Sequence, residues 1–238
     1  MTVERSMIHG FTLFALLYGA TLGAGEPPPD ATPLLTKPGK VLFNDDLREV
    51  PHERDKKTKS RGWQSGKGKW EIKNGDLVGA EKAEDHHGAM LTRTRLAFHN
   101  ATVQVLFRLD GARAFTLDAN AQGRVVAVTV ATTSLKLAVS VAGGDKMEVL
   151  DTIPLNLTSG VWHTLLLEML GNEVVASIDG REIAFGANER VDVDKTSVQF
   201  RVGGESAAFK NLIVREATGS DAWKATRAKL LDAPKTNK

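Results

Sequence analysis

Between residues 41 and 217 apolar and polar side chains alternate in short runs. Val103, Val105, Phe107 and Leu109 alternate with Thr102, Gln104, Arg108 and Asp110. A period of two puts one set on a buried face and the other towards solvent, which predicts a half-buried strand. Leu135, Leu137, Val139 and Val141 repeat the pattern against Lys136 and Ser140, and Val198, Phe200 and Val202 repeat it against Gln199 and Arg201. The runs RVVAVTVA, VWHTLLLEML, EVVASIDG and FKNLIVREA fit the same rule. Turn pairs fall between the runs: Asn74-Gly75, Asp110-Gly111, Gly143-Gly144, Gly171-Asn172 and Asp179-Gly180. Such pairs reach the positive φ that a tight hairpin needs. Many short strands at a spacing of about 8–12 residues, with no helix between them, predict an all-β fold. The expected architecture is an antiparallel two-sheet jelly-roll sandwich over 41–217.

One short C-terminal helix is predicted over 220–231. Ser220 suits its cap and Asp221 its positive end, while Trp223, Thr226 and Leu230 share a face. That face is expected to dock Trp223 on the sandwich, within a terminal unit of helix and tail at 218–238.

The N-terminus has a different composition. Arg5 precedes an apolar run at 11–24, and Gly23, Ala24 and Gly25 follow its centre. The run is shorter than the ~20 residues of a membrane-spanning helix. Residues 1–25 therefore read as a cleaved export signal. No transmembrane anchor remains after cleavage, and the expected location is the periplasm, the cell envelope or outside the cell. Residues 26–40 hold five of the eight prolines and read as a Pro-rich linker.

Charge and composition narrow the chemistry. Lys+Arg is 31 and Asp+Glu is 29 in 238 residues, a net charge of +2 that gives no footing for nucleic acid. The basic stretch at 52–69 reads as a solvated loop. It does not complete a phosphate loop, because Trp70 follows Lys69. Cysteine is absent, which excludes thiolate nucleophiles, cysteine zinc sites, iron–sulfur clusters and disulfides. The HExxH, GxSxG and ExDxxE patterns are missing as well. No metal ion and no cofactor are expected.

A few residues remain as candidates. Glu84-Asp85-His86-His87 is the densest titratable cluster and leads into the strand AMLTR. His86 and His87 suit acid–base work, with an exposed polar turn as the alternative. Arg108 and Asp110 lie on one strand face, ~7 Å apart, and either grip a sugar hydroxyl or carboxylate together or pair with charges across strands. Trp162 and His163 point to opposite faces. Trp162 is either a stacking platform for sugar or a core residue. Glu168 lies on the Trp162 side of that strand. Glu205, after Gly203-Gly204, is a turn residue or a carboxylate at the rim of a groove.

VLFNDDLRE and GKWEIKNGDLVG, with EDHHGAML, VLFRLDGARAF, GVWHTLLLEMLGNEVVASIDG, VGGESAAFKNLIVREA and DAWKATRAKL further on, resemble the 3-keto-disaccharide hydrolase family, in a planctomycete-type branch. The resemblance spans about 41–231. It implies a concanavalin-like, glycosidase-16-like jelly roll, export from a bacterial cell and a carbohydrate ligand. The stretch AFTLDANAQGRVVAVTVATT stands where typical members carry an Asn-Ser-Gly plus Arg strand and a Gly-Tyr-Glu stretch. If the chain is a hydrolase of this type, His86 or His87 takes a proton next to a 3-keto group and Arg108 steadies the enolate. Asp110, Trp162, His163 and Glu205 then bind substrate. The alternative is a non-catalytic exported module for carbohydrate binding or adhesion.

Overall fold

The alternation becomes sixteen strands among the described residues of a computed structural model, which are 31–53, 62–141 and 146–232. In chain order they are β1 (Thr36–Asp45), β2 (His52–Glu53), β3 (Trp63–Lys67), β4 (Lys69–Lys73), β5 (Asp76–Ala80), β6 (Ala89–Phe98), β7 (Ala101–Leu109) and β8 (Ala112–Asn120). There follow β9 (Arg124–Ala131), β10 (Ser134–Ser140), β11 (Met147–Pro154), β12 (Trp162–Leu170), β13 (Glu173–Ile178), β14 (Glu182–Ala187), β15 (Lys195–Gly204) and β16 (Ala207–Gly219), then one helix, α1 (Trp223–Asp232).

They form two sheets. The β7 sheet runs β14-β13-β12-β7-β16-β5-β4, with β1 also paired to β16. The β8 sheet runs β11-β10-β9-β8-β15-β6-β3-β2. Every pairing is antiparallel except the two-residue contact of β2 with β3. This is the two-sheet antiparallel jelly roll expected from the patterning. Long β16 takes β7 along one edge, and on its other edge β5 first and then β1, so that Thr36 pairs with Gly219.

The core lies where the alternation puts it. Val103, Val105 and Phe107 of β7 face Phe115 and Leu117 of β8, and Phe200 comes in from β15. Phe107 and Phe115 are 4.6 Å apart between ring centres, and Phe200 stacks on Phe209 at 4.7 Å. Burying each such ring contributes about 1.5–3 kcal/mol. Two predicted hairpin turns take the expected conformation. Asn74 and Gly75 have φ of 55° and 81°, and Asp179 and Gly180 have φ of 52° and 66°.

Four expectations need correction. The Pro-rich segment does not stay a linker to residue 40: Leu35 is fully buried and β1 starts at Thr36. Pro38 is tolerated there because the β1–β16 register breaks between Pro38 and Val41. The basic stretch is not all loop either, since Trp63 begins β3 and stacks on Phe200 at 5.3 Å. The helix starts at Trp223, whose N–H reaches the carbonyl of Ser220. Lastly, Trp162 is buried, but on the outer face of the β7 sheet, with Leu106 and Ala208, and not between the sheets.

Helix α1 docks Trp223 as expected, onto Leu35 and Val175, with its indole N–H donating to Glu173 at 3.0 Å. No helix among the described residues is long and apolar enough to cross a membrane. The export signal at 1–25, the turn at 143–144 and the middle of the basic stretch, 54–61, lie outside the described residues.

Candidate functional site

The outward face of the β8 sheet is built from small and hydrogen-bonding side chains. Strand alternation sends Phe115, Leu117, Val198, Phe200 and Val202 inward. Thr116, Asp118, Gln199 and Arg201 therefore face out. Register lines them up across the sheet. One row runs Gln64, Thr92, Gln199, Asp118, Ala127 and Ala138. The next runs Met90, Arg201, Thr116, Thr129 and Lys136. Six strands at ~4.8 Å spacing make a band about 24 Å long.

Most of the polar groups in the band hold one another. The Gln199 amide donates to the Thr92 hydroxyl at 2.9 Å, and the Thr116 and Thr129 hydroxyls meet at 3.0 Å. Arg201 donates from Nε and one terminal nitrogen to the two oxygens of Asp118, both at 2.7 Å. Asp118 is 0 % exposed although it faces away from the core. Burial pushes its carboxyl above the usual range, while the Arg201 guanidinium, and then the Arg124 charge, pull it back. The two-pronged contact is that of the ionised form. Beyond Asp118 on the same strand face, the Asn120 side-chain oxygen is buried with no hydrogen-bond partner among the described residues.

The residues singled out in the sequence lie elsewhere, around the turns at one end of the sandwich. His86 ends a single 3-10 turn, Ala83–Asp85, in the left-handed conformation with φ of 49°. His87 is exposed, and its Nδ1 lies 2.8 Å from the Gly88 carbonyl. Nearby Glu81 ties the β5–β6 loop to the end of β15 by accepting from Gly204 N–H at 2.7 Å and from Arg113 at 2.9 Å. The Gly204 N–H holds the Glu81 carboxyl below the usual range, helped by Arg113 and the His87 charge. Glu205 sits in the β15–β16 turn against Gly111, where an added Cβ would come within 2.3 Å of its carboxylate.

Arg108 is committed to carboxylates. Its Nε contacts both oxygens of Asp110, at 2.8 and 3.0 Å, and its other arm lies 3.7 Å from Asp76. Lys210 reaches Asp76 at 2.7 Å. Both cations lie over the Trp162 ring, at 4.8 Å for Arg108 and 4.6 Å for Lys210. They cover the indole face that a sugar ring would use.

His163 turns inward to Phe107, 5.6 Å between ring centres. Its Nδ1 is 2.7 Å from Asp179, and its Nε2 is buried with no partner among the described residues. Burial works against the Asp179 charge, yet the His163 and Thr164 hydrogen bonds hold its carboxyl below the usual range.

The structure thus joins Arg108, Asp110 and Trp162 in one cluster. His87 acts on Glu81 by its charge alone, His163 pairs with Asp179 and Glu205 packs against Gly111, all apart from that cluster. Sequence reasoning passed over Asp118, Arg201, Gln199 and Thr92. The signal was present, since Gln199 and Arg201 are the outward partners in the period-two run of β15. What it lacked was the register that brings Asp118 and Thr92 beside them.

No protein-family profile matches the chain, and no curated protein matches its sequence. Solved structures do resemble it. A Bacillus subtilis protein of unknown function with a galectin-like fold superposes with a TM-score of 0.59 at 14 % identity, over 78 % of this chain and 100 % of that one. The carbohydrate-binding module CBM66 from Bacillus subtilis gives 0.53 at 14 % identity, over 65 % and 95 %. SCLam, a non-specific endo-beta-1,3(4)-glucanase from family GH16, gives 0.53 at 10 % identity, over 79 % and 97 %. At these identities the likeness is one of fold, and it sets the chain among the galectin-like and concanavalin-like jelly rolls.

Proposed function

We propose that this chain is an exported carbohydrate-binding jelly roll that holds a glycan along the outward face of the β8 sheet. One observation carries the reading: the two register-aligned rows of side chains, polar or small apart from Met90, about 24 and 19 Å long at the ~4.8 Å strand spacing. Gln199, Thr92, Thr116 and Thr129 offer hydroxyl and amide groups of the kind that exchange hydrogen bonds with sugar hydroxyls. The Arg201–Asp118 pair satisfies itself and holds the centre of the band rigid. The fold is that of a solved carbohydrate-binding module and of a solved glucanase. Export rests on the apolar run at 11–24.

The test is retention of the chain by a panel of immobilised glucans. Retention should fall about two- to tenfold in Gln199→Ala and in Thr129→Ala, since each lost hydrogen bond costs about 0.5–1.5 kcal/mol. Unchanged retention in both variants overturns the site.

Turnover of 3-keto-disaccharides, which the family resemblance implies, is the second reading. The exposed His87 ring beside the charged Glu81–Arg113 pair favours it. In that reading His86 or His87 is the base and Arg108 the enolate partner, with Asp110, Trp162, His163 and Glu205 at the substrate. Binding is preferred because Arg108 is already spent on Asp110 and Asp76. His87→Ala should lower any 3-keto-disaccharide turnover ~10²–10⁴-fold. A wild-type chain with no such turnover sinks this reading and leaves the binding reading standing.

A further inference from the structure

The outer face of the β7 sheet carries a cavity that the glycan band on the other sheet does not use. Register builds its floor. Gln104 of β7 pairs with Leu166 of β12 on one side and with Ile213 of β16 on the other. Two residues back, Thr102 pairs with Glu168 and with Arg215. All these side chains face away from the core, because Val103, Leu165, Leu167 and Val214 take the inner face. The walls come from the segment entering β1, through Ala31, Thr32, Pro33 and Pro38.

Glu168 fixes that wall. Its carboxylate accepts the Leu34 N–H at 2.9 Å, and the Thr36 N–H and hydroxyl at 2.8 Å each. The space between wall and floor is about 320 Å³. Ligand sites run from ~300 to 1,000 Å³, so this one suits a single sugar ring and not a chain.

Arg215 supplies the specificity. It is half-buried and lines the cavity. Among the described residues no carboxylate pairs with it, whereas Arg108 and Arg201 each hold an aspartate. Glu168 lies in its own register row but has spent both oxygens on the wall. An unpaired guanidinium in a half-dry site presents a planar fork that matches a carboxylate. Ile213 beside it is half-buried and apolar, as is one C–H face of a pyranose ring, and Leu166 lies buried in the floor. Half-buried Gln104 brings a side-chain amide to the lining.

We propose that this cavity binds a hexuronic acid, with its carboxylate on Arg215 and its ring over Ile213. The site stands on the opposite sheet from the glycan band and does not depend on it.

Titration calorimetry of the chain with sodium glucuronate, glucose and inorganic phosphate tests this. Glucuronate should bind, with glucose weaker by about tenfold or more and phosphate unable to displace it. Arg215→Gln should weaken glucuronate by about tenfold or more, and Arg215→Lys should restore part of the loss, since a point charge replaces the fork. In the wild type, glucuronate should shift the methyl resonances of Leu166 and Ile213, a readout that does not depend on any variant folding. Retention by immobilised glucan should persist in Arg215→Gln, which separates this site from the band. The proposal is overturned by absent glucuronate binding, by equal affinity for glucose, by displacement with phosphate, or by an Arg215→Gln variant of undiminished affinity.

Discussion

Arg201 and Asp118 form a two-pronged ion pair on neighbouring strands, on a face turned away from the core, with the carboxylate wholly shielded from solvent. A buried charge is tolerable only while its partner stays. Arg201→Ala should therefore cost about 3–5 kcal/mol, because Asp118 loses its two-pronged partner and keeps only the Arg124 charge. Replacing both at once, Arg201→Met with Asp118→Leu, should recover most of that loss. Urea unfolding of the three proteins measures it. A single variant within 1 kcal/mol of wild type, by an expectation of ~3 or more, would show that Asp118 does not need Arg201.

Stability should depend on pH through His99. Its ring bridges two carboxylates, Nδ1 to Asp194 and Nε2 to Asp192, both at 2.8 Å. These hydrogen bonds, Asp194 first, raise its pKa above the ordinary 6.5. A raised folded-state value means the unfolded chain loses its proton first. The stabilisation is complete below about 6.5 and fades as the pH rises through the folded value. Lys195, lowered to about 8 by burial, acts in the opposite sense from there upward. His99 is partly exposed, so salt should weaken the effect. His99→Gln should flatten the melting temperature between pH 6.5 and 8; a slope equal to wild type refutes the assignment.

Gly68 should resist substitution. It has φ of 73°, and a Cβ there would come within 2.2 Å of the Ala89 Cβ and 2.6 Å of the Ala80 carbonyl oxygen. Left-handed strain alone costs about 1–2 kcal/mol, and the backbone must also part. Gly68→Ala should lose more than ~2 kcal/mol, whereas Gly75→Ala, with nothing within 4 Å, should lose only the strain. Equal melting temperatures for the two variants would contradict the close approach.

Helix α1 should depend on one side chain. Trp223 is its one buried residue, set on Leu35 and Val175 and edge-on to Phe185. A ten-residue helix does not persist alone in water. Trp223→Ala should thus cost about 3–5 kcal/mol and release the helix to fast amide exchange. Protection of the α1 amides at the wild-type level would rule this out.

The fold was legible because alternation is a local property. Val103 to Leu109 and Val198 to Val202 state which face is buried without reference to any other strand, and Asp179-Gly180 states its own turn. The site was less legible because it depends on pairing. Arg201 meets Asp118, and Gln104 meets Leu166 and Ile213, through registers between strands far apart in sequence. Trp162 stays between two readings in the sequence for a related reason. Its strand is so apolar that both faces look like core, and only Arg108 and Lys210, from two other strands, reveal that it lies outside. The prolines before β1 hid a buried Leu35, since nothing local announces that Glu168 will anchor the segment.

The pairing of Thr36 with Gly219 has a consequence for when the molecule becomes whole. The first long strand closes on the last, so β1 waits with an open edge until nearly the entire domain has emerged. Such long-range closure makes folding slow, because the loop must be ordered before the contact repays it. A chain of this topology stays incomplete while it is being made. Completion falls to its C-terminal strand, which pairs with β7, β5 and β1.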